Sequence, residues 1–134
     1  MTRRGLVGMG LVGCVGVSAE AAVPDIRQYI WRSRVLLLFA PRADDPALLL
    51  QRSLLAQAGA GMAERDLVAV DVVGDSGAAA ALRERFGVAQ DRFCAVLVGK
   101  DGGATLSSAE PIPAERLFAV IDAMPMRREE AGRS

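Results

Sequence analysis

Val35-Leu36-Leu37-Leu38-Phe39-Ala40 is a run of six apolar residues, preceded by Arg34 and followed by Pro41-Arg42-Ala43-Asp44-Asp45-Pro46. A short, uninterrupted apolar run backed by turn formers is the pattern of a strand buried on both faces. Such a strand sits at the centre of a sheet covered by helices. The segments downstream read as helix, strand, helix, hairpin and helix, and each can pack on it. At 134 residues the chain holds one domain, and 51% of it is apolar, enough for a core. The formal net charge is zero, so no bulk electrostatic pull toward nucleic acid or acidic lipid is expected. There is one Lys against fifteen Arg, and neither His nor Asn. Without His there is no Ser-His or Cys-His nucleophile pair and no His metal site. No metal and no cofactor are expected.

The N-terminus reads as an export signal. Arg3 and Arg4 form a basic start, Gly5 to Val17 is uncharged, and Ala19-Glu20-Ala21 fits a small-x-small cleavage site. The expected organisation is a signal peptide over 1–21 and one domain over 22–134, frayed from about 127. Leu11-Val12-Gly13-Cys14 offers an alternative with the form of a bacterial lipobox, in which 1–13 is removed and Cys14 is lipidated. The location expected is periplasmic or secreted, with lipid anchoring in the envelope as the alternative. Membrane contact is expected only through lipidated Cys14.

The elements follow in order. Pro24-Asp25 suits a helix start, with a short edge strand as the alternative, and Trp31 is expected to cover one end of the core. Asp45 and Pro46 open a helix whose expected apolar row is Ala47, Leu50, Leu54 and Ala58, with Leu48, Leu55 and Met62 beside it. Leu67 to Val73 is a β-branched strand interrupted by Asp71; a sheet edge would leave Asp71 facing water. Asp75 or Ser76 caps a helix that Gly87 stops. Phe93 to Val98 is a strand. Asp101-Gly102 turns it into a hairpin whose tip carries Lys100. Leu117, Phe118, Val120, Ile121 and Met124 give the last helix its apolar face, and Pro125 is expected to stop it.

Strand, helix, strand, helix, hairpin, helix is the order of a thioredoxin-like fold. Trp31 to Pro41, Asp45-Pro46, Val73-Gly74-Asp75, Leu97 to Gly103 and Ile121 to Arg128 resemble an uncharacterised bacterial family. That family is related to the DUDES domain of vertebrate secreted sushi-repeat and matrix proteins. The resemblance covers about residues 25–130 and implies export and a thioredoxin-like α/β fold. The sheet is expected to be four-stranded and mixed, with three parallel strands, an antiparallel C-terminal edge strand and flanking helices.

In an open α/β sheet, sites lie beyond the carboxyl ends of the parallel strands. For the first strand that place holds Arg42, Asp44 and Asp45, and no Cys-x-x-Cys pair. These three residues, with Asp75 and Lys100, are the candidate ligand-binding residues. Asp45 as a cap, Asp44 in solvent and Arg42 paired with one of them is the structural alternative. Cys94 lies in an apolar strand, where a free Cys packs as a small hydrophobe; a redox role is its alternative. No catalytic residue is assigned. The function expected is an exported, non-catalytic thioredoxin-like module binding an unknown protein or envelope component. The alternatives are an atypical thiol redox protein using Cys94 and a small-molecule enzyme at Arg42, Asp44 and Asp45.

Overall fold

The computed structural model describes residues 25–133. The export segment expected over 1–21, and Cys14 within it, lie outside the described residues. A short 3-10 helix over Ile26–Tyr29 leads into β1, Arg34–Ala40. Helices α1 (Pro46–Ala56) and α2 (Gly59–Glu64) precede β2 (Leu67–Val73). Helix α3 (Gly77–Phe86) precedes the hairpin of β3 (Cys94–Val98) and β4 (Ala104–Ser108). Helices α4 (Ala114–Asp122) and α5 (Pro125–Arg133) close the order.

The four strands lie in the order β2-β1-β3-β4. All seven residues of β1 are buried, as its apolar run requires. Its even-numbered residues Leu36, Leu38 and Ala40 join Leu48, Leu55, Leu117 and Ile121 on the face covered by α1 and α4. Its odd-numbered residues Val35, Leu37 and Phe39 join Val70, Val72 and Ala79 on the face covered by α3. This division follows from the two-residue period of a strand.

The expectation of three parallel strands is overturned. Only β1 and β2 run parallel, with Arg34 opposite Leu67 and Ala40 opposite Val73. Strand β3 is antiparallel to β1, with Val35 opposite Val98 and Phe39 opposite Cys94, and β4 is antiparallel to β3. The physical reason lies in the connection. Because Cys94 pairs with Phe39, β3 starts at the same end of the sheet where β2 finishes. The chain through α3 therefore does not travel the length of the sheet before re-entering it. An apolar run reads the same in either direction, so composition carries no sign of this.

Two helix expectations also change. In α1 the inward residues are Leu48, Gln51 and Leu55, while Leu49 and Leu50 are 54% and 53% exposed. Leu48, Leu49 and Leu50 are consecutive, so apolarity alone does not fix the rotation of this helix. Gln51 does: its Nε2 donates to the Ile112 carbonyl at 2.9 Å, and its Oε1 accepts from the Ile112 N–H at 2.7 Å. At the other end, the helix expected to stop at Pro125 does end ahead of it, at Asp122, but Pro125 then opens a further helix, α5, over the segment expected to fray from about 127. Pro at a first helical position forfeits only an N–H that would be unpaired anyway.

Candidate functional site

The residues singled out at the carboxyl end of β1 engage one another and the local backbone. Arg42 Nε donates to Asp44 Oδ1 at 3.0 Å, with both side chains in solvent. Asp45 caps α1, accepting from the Ala47 N–H at 2.9 Å and the Leu48 N–H at 3.4 Å. Asp75 is exposed in the turn before α3. Burial lowers the pKa of Arg83, and the charges of Asp75 and Asp91 partly offset it. Arg83 is buried, donates to the Gly74 and Ala89 carbonyls, and lies over the Phe39 ring. Cys94 is half-buried at the start of β3 rather than sealed in the core, with Sγ 3.5 Å from Ser107 Oγ.

The structure gathers a different set of residues at the opposite end of β1. An open groove of about 440 Å³ lies there, walled by Trp31, Met124, Pro125 and Met126. Arg34, Lys100, Asp101 and Thr105 supply its polar lining. Such a mixture, apolar walls with a few polar groups, is what binding grooves offer. Each wall comes from a different element. The turn between the 3-10 helix and β1 delivers Trp31, the β3–β4 hairpin delivers Lys100 and Asp101, and the α4–α5 corner delivers the two Met residues around Pro125.

Trp31 was expected to cover the core, and it does not. It is 65% exposed, and its backbone has φ 68°, the left-handed region that side chains avoid. Backbone bonds on both sides hold it there: its own N–H donates to the Lys100 carbonyl at 2.6 Å, and the Arg32 and Ser33 N–H groups close back on the Tyr29 carbonyl at 2.9 and 2.8 Å. The hairpin that supplies the Lys100 carbonyl turns through Gly102 at φ 88°.

Lys100 was read as a surface tip, yet its side chain is only 11% exposed. Nζ contacts Asp66 Oδ2 at 2.9 Å and Glu130 Oε2 at 2.7 Å. Burial acts to lower the Lys100 pKa, but the hydrogen bonds it donates to Glu130 and Asp66 outweigh it and hold the pKa above its ordinary value. Glu130 also takes a fork from buried Arg34, Nη1 to Oε1 at 3.2 Å and Nη2 to Oε2 at 3.3 Å. Burial acts to raise the Glu130 pKa, and the bonds from Lys100 and Arg34 override it and lower it. At the floor of the groove the cations of Arg34 and Lys100 are therefore met by the carboxylates of Glu130 and Asp66, with Asp101 a third carboxylate in the lining.

The family model for a domain of unknown function, DUF4174, matches residues 25–130. The chain belongs to the DUF4174 family. No curated protein matches it. The matched span includes Trp31, the hairpin, the α4–α5 corner and Glu130, so the whole groove lies inside the DUF4174 domain. This DUF4174 chain has no His and no Cys-x-x-Cys pair. Among its described residues there is no group of three or more His, Cys, Asp or Glu placed to hold a metal ion.

Of the candidate ligand-binding residues named from the sequence only Lys100 lines this groove; the other parts are far apart in the chain and none has a motif. The available signals were indirect. Trp31 is the sole Trp, beside a hairpin with a strong turn, and Met124-Pro125-Met126 places two flexible apolar side chains around a rigid residue.

Proposed function

We propose that this protein is a non-enzymatic binding module whose contact surface is the groove around Trp31. The observation that carries the reading is Trp31 itself. It exposes a large apolar ring to water and holds a backbone conformation that costs on the order of 1–2 kcal/mol for a residue with a side chain. Its burial of the fold's own core is slight, so the fold gains little from keeping a Trp there. Exposed aromatic and Met side chains at a groove supply adaptable apolar contact for a partner.

We further propose that it works after export, in the periplasm or outside the cell, with lipid anchoring at Cys14 as the alternative. The basic start at Arg3 and Arg4, the uncharged stretch behind it and Ala19-Glu20-Ala21 support this. Kinship with the DUDES domain of secreted vertebrate proteins belongs to the same proposal and rests on the residue resemblance.

The test is cross-linking in the producing cell. A photoreactive amino acid replaces Trp31 in one variant and Leu49, an exposed apolar residue on α1, in another. A discrete adduct from position 31 that is absent from position 49 is expected. No adduct at 31, or the same adducts at both, would refute the groove as the contact surface. Sequencing the N-terminus of the protein recovered from the same cells checks export: a start at Ala22, or a lipidated Cys14, is expected, and an intact Met1 contradicts it.

A further inference from the structure

The groove continues onto an open sheet edge. Thr105 lines it, and Thr105 belongs to β4, the last strand on that side of the sheet. Strand β4 pairs with β3 along one side, and among the described residues no strand pairs with the other. Ala104, Thr105 and Ser107 are exposed, so the strand is not roofed over. An edge strand of this kind turns every second N–H and C=O outward as a template for another chain. Protein edges are normally blunted by charge, Pro or a bulge; Ala104-Thr105-Leu106-Ser107-Ser108 carries no charge and no Pro, and its one irregularity, a register shift at Thr105, leaves Leu106, Ser107 and Ser108 in regular pairing with β3. The opposite edge does: β2 holds Asp71, whose Oδ2 is paired with Arg52 at 3.0 Å.

Charge decides what kind of chain fits. Arg34 and Lys100 at the groove floor are matched by Glu130 and Asp66, and the remaining lining carboxylate, Asp101, accepts from the Gly103 N–H of its own hairpin at 3.0 Å, so no net positive charge is left to draw a phosphate or a carboxylate. The walls are apolar, and β4 is uncharged. We propose that the groove and the β4 edge together take an extended, uncharged peptide segment. Its backbone adds to β4 as a further strand, and one apolar side chain lies between Trp31 and Met126. This is strand addition, in which main-chain hydrogen bonds give affinity and a side-chain pocket gives selectivity. The inference rests on the binding reading above and names the partner's chemistry.

The experiment selects short random peptides, displayed on phage, against the full chain. Synthetic copies of the winners are then titrated while the emission of Trp31, the sole Trp, is followed. Each winner is also made in two forms, N-methylated at alternate residues in one phase or the other. The winners are expected to be uncharged with alternating apolar residues, and to shift Trp31 emission to the blue. One methylated form, blocking the N–H groups that face β4, is expected to lose affinity by about tenfold or more, while the other form binds as the parent does. Trp31→Gly is expected to lose the parent peptide by a similar factor. Equal binding by both methylated forms, charged winners, or no winners at all would overturn the proposal. If position 31 still cross-links to a partner in cells, the binding module stands and only strand addition fails. If it does not, both readings fail.

Discussion

Gln51 shows how one polar residue fixes more of this fold than its leucine neighbours do. Its side-chain amide meets both the N–H and the C=O of Ile112, in a segment bounded by Pro111 and Pro113. Ile112 is fully buried, so these backbone groups have no water to turn to. Gln51→Leu removes both partners and is expected to destabilise the protein by about 2–4 kcal/mol, the cost of two buried backbone groups left unmet. Urea unfolding measures it; a loss under about 1 kcal/mol would show that the loop finds other partners. Helical periodicity could not have found Gln51, because it treats a polar residue as outward-facing and so rotated the helix to bury Leu50. Asp45 and Gly87 were legible because their chemistry is local. Asp45 accepts from the N–H groups just ahead of it, and Gly87 takes φ 68° at the end of α3.

Helix α5 is the element least visible in the sequence. Arg127-Arg128-Glu129-Glu130 has no apolar period and reads as a solvated run. Its inward residues are instead held by charge from distant segments. Arg127 reaches Glu64 at 2.7 Å and Asp122 at 3.3 Å, and Glu130 reaches Arg34 and Lys100. Attachment by ion pairs makes α5 sensitive to acid in a stated direction. Glu130 is lowered below its ordinary 4.5, with burial overridden by the bonds from Lys100 and Arg34. Asp122 is lowered below its ordinary 3.8, chiefly by its hydrogen bond from Arg65. Groups with lowered folded-state values stabilise fully above the ordinary carboxylate range and lose that contribution as pH falls through their folded values. Lys100, held above its ordinary value, contributes at neutral pH and loses its share only in alkali. On acidification below about pH 4, the amide NMR shifts of Met126 to Glu130 are expected to move toward coil values before those of β1. Simultaneous loss of both would contradict an ion-pair attachment.

Across the whole molecule, the sequence revealed where the core lies but not at which end of the sheet the groove opens. The apolar run of β1 announced a strand buried on both faces, and each downstream strand was recognisable from its own composition. The direction of β3 was not, because it depends on the path through α3. The expectation of a site at Arg42, Asp44 and Asp45 has the same origin. A sheet read as largely parallel puts its active end at the carboxyl ends of the strands, where Arg42, Asp44 and Asp45 turn out to pair locally and cap a helix. The groove instead forms at the other end, from segments joined only by folding, and it leaves Trp31 in solvent. The central claim is that Trp31 serves a partner and not the fold. Replacing it with Gly trades a modest loss of apolar contact against relief of its left-handed backbone. The equilibrium unfolding free energy of Trp31→Gly is the measurement that tests this most directly. A value within about 1 kcal/mol of the parent protein is predicted; a loss of about 3 kcal/mol or more, the range of a core Trp, would make Trp31 a structural residue and remove the basis of the binding reading.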